Sequence, residues 1–514
     1  MNRRSTLAVL LALSAALALR VPKLDTRPLH NDEAVNAVKV TELWQQGRYA
    51  YDPDEYHGPT LHYATLPFLW LCGARNPGEI SDATLRLAPV VCGIGLILLL
   101  LLLADGLGQP AMAWAMVFTA ISPAMVFYSR YFIHEMLLLF FTALTLGAGW
   151  RYVQTRSAHW AVLSGAGLGL MFATKETFVL TAVAMGLAAI ATVRWTAPKG
   201  TGIQRLLELW NWKPVALALS ATFLVWLLLF SSFFTHFGGL LDSVRTYLPW
   251  LKRAGGHSPH IHPWSFYLQR LAWFHPAKGP LWSEGLILIL AAVGASVSFI
   301  GKKSPLRCFL AFYTILLTAI YSTISYKTPW CLLSFFHGMI LLAGIGAAAL
   351  VDFCRTRLLK AAVVTAMVGM TGQLSWQAWR ASFVYSSDRR NPYVYAQTVP
   401  DLLNLVRRAD GLASVAPAGF ETIVKIIAPD NDYWPLPWYL RRFKHLGWYE
   451  KIPDDPYAPM IVVASKLNAR LDDKSDRKWI MAGLAELRPG KYFELYVELE
   501  LWKKYVATLP RERD

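Results

Sequence analysis

Long apolar stretches separated by short polar interruptions occupy the first three quarters of the chain. Most run to about 17–22 residues, the length at which a helix crosses a hydrocarbon core. They fall at 5–21, 84–104, 111–128, 133–150, 159–173, 177–193, 214–234, 284–301, 307–324, 331–351 and 361–379, which predicts eleven membrane helices. Charge in alternate loops supports the count. Arg151 and Arg156, then Arg194, Lys199, Arg205 and Lys213, then Lys302, Lys303 and Arg307, and finally Arg355, Arg357 and Lys360 mark the cytoplasmic side. Only the loop at Asp105 lacks basic residues. Arg3 and Arg4 place the N-terminus in the cytoplasm, and Ala16-Leu17-Ala18 also has the look of a signal-peptide cleavage site. The segment reads as a signal-anchor.

Two outer loops are long, at about 22–82 and 235–282. The first holds an amphipathic pattern from Glu33 to Trp44 and a short apolar run, Leu61 to Leu71, which suits the membrane interface better than a span. Near residue 382 the pattern changes to strand-like runs such as Ile461 to Ala464 and helical ones such as Asp401 to Arg408. The expected architecture is a polytopic all-α membrane bundle of eleven helices over 1–381. A small extracytoplasmic α/β domain over 382–514 completes it, long enough for its own core.

Composition agrees. The chain is 55% hydrophobic and 16% charged, far below the roughly 25% charge of soluble domains. A net charge of +16 raises nucleic-acid binding as a possibility, but the basic residues lie in loops between spans and no recognition module accompanies them. The five cysteines contain no CxxC, so neither a disulfide framework nor a cysteine metal site is expected.

Unusual polar clusters gather on the predicted outer side. Asp32 and Glu33 follow the first span; neighbouring helical side chains point about 100° apart, so only one can face a given substrate atom. They also suit the first turn of a helix, where acidic groups favour the dipole. Arg130, His134 and Glu135 form a second cluster, in which a helical segment would put Arg130 and His134 on one face. Lys175 with Glu176, and Lys327, add cations suited to phosphate or to ion pairing with Glu135 and Glu176. Histidines at 30, 57, 62, 134, 257, 260 and 262 show no HExxH-like signature, and Asp52-Pro53-Asp54 reads as a turn before it reads as a metal motif. The sequence leaves a divalent metal undecided. Phosphate-binding and nucleophile-elbow motifs are absent from it.

The stretch Arg27 through Ala34, His57-Gly58-Pro59 and Tyr128-Ser129-Arg130 through Glu135 resemble the GT-C integral-membrane glycosyltransferases, in the branch of protein O-mannosyltransferases and aminoarabinose lipid A transferases. Relatives often carry Lys-Pro-Pro where this chain has His57-Gly58-Pro59. Ser325 through Trp330 and Asp432 through Tyr439 resemble an uncharacterised bacterial and archaeal subgroup. The resemblance implies an inverting transfer of sugar from a polyprenyl-phosphate carrier in the membrane to an acceptor hydroxyl; no nucleic-acid partner is expected from the composition. In that reading the carboxylate at Asp32, supported by Glu33, is the general base. Arg130, Lys175, Lys327 and His57 meet the donor phosphate, and His134 or Glu135 orients base or sugar. A tail carrying Trp434, Trp438 and Tyr439 either folds back over the mouth as a lid that shapes an acceptor or sugar site, or is a solvated domain with its own aromatic core. A transporter or flippase for polyprenyl-linked glycans and a non-catalytic scaffold are the alternatives. The spans, however, carry few charges and show no inverted repeat.

Overall fold

A computed structural model describes residues 3–198, 211–255, 260–300 and 304–510, with side chains described from residue 6 onward except at 252–255. Lys199, Arg205, His257, Lys302 and Lys303, and the side chains of Arg3 and Arg4, lie outside the described residues.

All eleven apolar stretches are helical over most of their length. Among the described residues, seven helices are long and apolar enough to cross a membrane: Asp82–Leu107, Glu135–Thr155, Phe178–Thr196, Trp212–Phe230, Pro305–Thr323, Pro329–Phe353 and Arg357–Val384. The pair Gln109–Ile121 and Pro123–Ser129 makes an eighth, bent by 55° at Ser122. Thr6–Arg20, Ala158–Phe172 and Gly285–Phe299 are shorter apolar helices. The bend has a local cause. Pro123 cannot donate to the preceding turn, so a new helix starts there, and Ser122 Oγ caps it by accepting the Met125 amide at 3.3 Å.

The chain divides into two compact units. One comprises residues 1–24, 42–68 and 86–395; the other comprises 25–41, 69–85 and 396–514. The expected boundary at 382 falls inside a helical extension, Arg380–Val384, of the last long apolar helix. The second unit is also larger than the expected tail, because it takes two pieces of the first long loop with it.

The first unit is built on α1 (Arg3–Arg20), α3 (Thr60–Leu71) and the apolar helices above. Two arginines brace the end of α1. Arg20 donates to Ala120 O at 2.6 Å, Thr119 O at 2.8 Å and Ser129 Oγ at 3.1 Å. Arg130 Nη1 donates to Arg20 O and Pro22 O, each at 2.7 Å, and its Nη2 to Lys23 O at 2.9 Å. Guanidinium groups thus satisfy the carbonyls a helix C-terminus leaves open.

The second unit contains a five-stranded sheet in the order β2-β1-β3-β5-β4. The strands are β1 (Val424–Ile427), β2 (Leu446–Tyr449), β3 (Met460–Ala464), β4 (Trp479–Arg488) and β5 (Lys491–Glu498). β1 pairs in parallel with β2 and β3, while β5 runs antiparallel to β3 and β4. Both faces of β3 are covered: Met460, Val462 and Ala464 join the core under the Leu402–Val415 helix, while Ile461 and Val463 pack with Leu471 and Tyr496. This two-sided burial is why 461–464 reads as an unbroken apolar run rather than an alternating one.

Candidate active site

Asp32 and Glu33 begin α2 (Asn31–Gln46), and the turn that holds them is a reciprocal cap. The Asp32 amide donates to His30 Nδ1 at 3.1 Å, and the His30 amide donates to Glu33 Oε2 at 2.9 Å. This is the logic of a capping box, with a histidine ring in the place of the usual hydroxyl. Glu33 is fully buried and also takes Arg27 Nη2 on both oxygens, at 3.2 and 3.3 Å. Asp32 is different: its side chain is 43% exposed, with His30 Nδ1 3.7 Å from Oδ1. Burial lowers the His30 pKa against the opposing pull of Asp32 and Glu33, so the ring stays neutral and its Nδ1 lone pair remains available to the cap. Of the two adjacent carboxylates, one is an internal anchor and the other faces outward.

The tail holds the approach to this turn. Tyr439 Oη and Trp438 Nε1 donate to the two oxygens of Asp82, at 2.6 and 2.8 Å, and the same hydroxyl accepts the Leu29 amide at 2.7 Å. Arg441 stacks over the Trp438 ring at 3.6 Å and donates to Pro77 O and Ile80 O. Trp438 is buried and Trp434 half-buried. Asp82 marks the start of α4 (Asp82–Leu99).

In the membrane unit, His57, His134, Glu135, Lys175 and Glu176 come together. Gly58 makes this possible: its amide donates to Thr174 O at 3.2 Å, and a Cβ there would stand 2.2 Å from Ala173 O. Thr60 N donates to Ala173 O at 3.1 Å, so the loop is pinned flat against 173–174. His57 Nδ1 then lies 2.8 Å from Glu176 Oε2. A carboxylate only accepts, which puts the proton on Nδ1. Tyr51 Oη donates to the other Glu176 oxygen at 3.3 Å. Lys175 Nζ is ion-paired with Glu135, both buried. His134 Nε2 donates to Gly58 O at 3.1 Å, and its ring lies edge-on to His57 with centroids 5.2 Å apart. Burial would raise the Glu176 carboxyl, but the His57 imidazole reverses this and holds it below the usual range. Burial likewise opposes the Lys175 charge and Glu135 outweighs it, leaving the ammonium above its ordinary value.

Arg130 and Lys327 stand elsewhere in that unit. The helix before Arg130 ends at Ser129 and the next begins at Glu135, so Arg130 and His134 do not share a helical face, in contrast to the expectation. Arg130 reaches the α1 carbonyls instead. Lys327 is buried and donates to His262 O at 3.2 Å and to Ile324 O. Its loop is tied to the second long loop by Lys327 N to His260 O at 2.8 Å and His262 N to Ser325 O at 3.0 Å.

Sequence reasoning missed two carboxylates. Asp82 is the hub for Trp438 and Tyr439. Glu284 is fully buried and accepts from Ser122 Oγ at 2.6 Å, Ala124 N at 2.9 Å and Tyr393 Oη at 2.7 Å, so it secures the bend at Ser122. A lone acidic residue at the edge of an apolar run was the available signal in both cases. Among the described residues no group of three or more His, Cys, Asp or Glu is arranged to hold a metal ion, and no two of the five cysteines are joined in a disulfide.

The family model for dolichyl-phosphate-mannose-protein mannosyltransferase matches residues 73–232. Among solved structures, ArnT from Cupriavidus metallidurans bound to undecaprenyl phosphate is similar with a TM-score of 0.61 at 15% identity, covering 98% of this chain and 99% of that one. The archaeal oligosaccharyltransferase AglB from Archaeoglobus fulgidus, solved with an inhibitory peptide and a dolichol-phosphate, has a TM-score of 0.60 at 11% identity, over 91% of this chain and 70% of that one. No curated protein matches the sequence. At such identities the likeness is one of fold. This chain has the GT-C fold, resembles the mannosyltransferase and ArnT type within it, and is an integral membrane protein.

Proposed function

We propose that this chain is an inverting glycosyltransferase that moves a sugar from a polyprenyl-phosphate carrier to an acceptor hydroxyl at the outer face of the membrane, with its N-terminus cytoplasmic and its tail outside. The observation that carries the reading is the exposed Asp32 carboxylate on a turn fastened by Glu33, Arg27 and His30, in a chain of the GT-C fold. The lipid phosphates bound to ArnT and AglB support the class of donor.

Asp32 acts as general base, taking the proton of the acceptor hydroxyl as its oxygen attacks the anomeric carbon opposite the leaving phosphate. An alcohol is a weak nucleophile, and a placed base contributes about 10²–10⁴-fold. Glu33 positions this base through its contacts with Arg27 and His30. On the donor side His57 offers an exposed imidazole. Lys175, Arg130 and Lys327 spend N–H groups on Glu135 and on backbone carbonyls, and their part is to hold the loops that shape the donor site. Trp438 and Tyr439 fix the Asp82 turn, and we assign Trp434 to the acceptor side.

The test uses the full chain in lipid nanodiscs, with mass spectrometry of co-purifying lipid and an assay of sugar release from polyprenyl-phosphate donors. Asp32→Asn is expected to lose about 10²-fold or more of transfer with unchanged thermal unfolding. Full transfer by that variant overturns the assignment of the base.

A further inference from the structure

The loop cluster around Glu176 in the membrane unit is largely closed to solvent. Lys175, Glu135, Glu176, His134, His62 and Tyr51 are all buried, whereas the His57 side chain is 42% exposed. Lys175 is matched by Glu135, and Tyr51 and Tyr247 approach Glu176 from the other side, at its carboxylate and its backbone carbonyl. Glu176 therefore has His57 as its charge partner. With Nδ1 committed to Glu176, the His57 ring makes no further hydrogen bond among the described residues, and its Nε2 is left for another molecule. A buried carboxylate behind an imidazole with a free outer nitrogen is the arrangement of a proton-transfer dyad, in which the carboxylate fixes the tautomer.

We propose that Glu176 and His57 form such a dyad, in which His57 Nε2–H binds the donor phosphate and gives its proton to the lipid phosphate as it leaves. This rests on the glycosyltransferase reading above. As the anomeric C–O bond breaks, its electron pair passes to the phosphate oxygen, which takes the proton from Nε2 and leaves His57 neutral. The acceptor oxygen forms the new bond to the anomeric carbon and loses its proton to the base of the reading above. Exchange with water restores both groups, and no oxidant or metal enters the balance. Glu176 is a positioning residue here, since it acts through His57.

The experiment compares pH profiles of transfer in the full chain. In wild type, kcat is expected to decline on the alkaline side as the imidazolium is lost. His57→Gln and Glu176→Gln should each lower kcat by about 10²-fold and abolish that alkaline limb, with the KM for acceptor little changed. Active variants that keep the wild-type profile overturn the dyad while leaving the glycosyltransferase reading intact. Absence of transfer by wild type from any polyprenyl-phosphate sugar overturns both. A measurement on wild type alone guards against misfolded variants: undecaprenyl phosphate should slow carbethoxylation of His57, followed by peptide mass spectrometry. Labelling of His57 at the same rate with and without the lipid overturns the proposed contact.

Discussion

The Tyr439 hydroxyl donates to Asp82 Oδ2 at 2.6 Å while accepting the Leu29 amide at 2.7 Å. One phenol thereby joins the tail to the start of α4 and to the strand of chain that leads into Asp32. Tyr439→Phe leaves the Leu29 amide and one Asp82 oxygen to find new partners, at a cost of about 1–3 kcal/mol. Thermal unfolding should show that loss, and transfer should fall further than the unfolded fraction explains. Equal activity per folded molecule would mean that the Asp32 turn does not depend on this hydroxyl.

His30 gives α2 a pH dependence. Folding holds its ring neutral and burial lowers its pKa, so the unfolded chain binds more protons as acid is added. Its contribution to stability is complete above about 6.5, the ordinary imidazole value, and is lost as pH falls toward the lowered folded value. The unfolding temperature in detergent should drop on going from pH about 7.5 to about 5.5. His30→Asn, which offers the cap an acceptor that does not titrate, should flatten that drop. The same slope in the variant removes His30 as its source.

Lys175 and Glu135 are a buried pair, and removing one partner strands the other. Lys175→Met is expected to cost about 3–5 kcal/mol. Adding Glu135→Met should recover most of it, because the double variant buries no unpaired charge. A double-mutant cycle of unfolding free energies reads the coupling directly; additive costs would show the two groups to be independent.

Much of this organisation was legible in the chain, and the limit has a physical origin. Span length is a local property, so each of the eleven apolar stretches proved helical, and β3 announced itself through continuous burial at 461–464. The Ser122 bend was missed although Ser-Pro marks it, because the apolar run continues through it unbroken. Arg130 and His134 looked like helical neighbours from spacing alone, but the helix stops at Ser129. The partnerships that define the candidate site are non-local. His57 and Glu176 stand 119 positions apart, and Tyr439 and Asp82 stand 357 apart. Composition carries no trace of such pairings.

Gly58 offers a separate check on the loop. A Cβ would press into Ala173 O, so Gly58→Ala must lift the loop from 173–174 and draw His57 away from Glu176. A displacement of about 1 Å can cost about 10²-fold in rate. Transfer by Gly58→Ala should fall by that order in a protein that still extracts and migrates as wild type. Undiminished transfer would show that the rate tolerates a displaced His57.

The second unit is assembled from three separated pieces of chain, and this orders events during synthesis. Residues 25–41 leave the ribosome early, yet the Tyr439 hydroxyl that accepts the Leu29 amide is encoded 410 positions later. At roughly 5–20 residues per second that is a wait of about 20–80 s. During it the Asp32 turn lacks its tail contacts while the remaining spans are threaded into the bilayer. A nascent or prematurely ended polypeptide therefore carries the Asp32 turn without the hydroxyl that accepts the Leu29 amide.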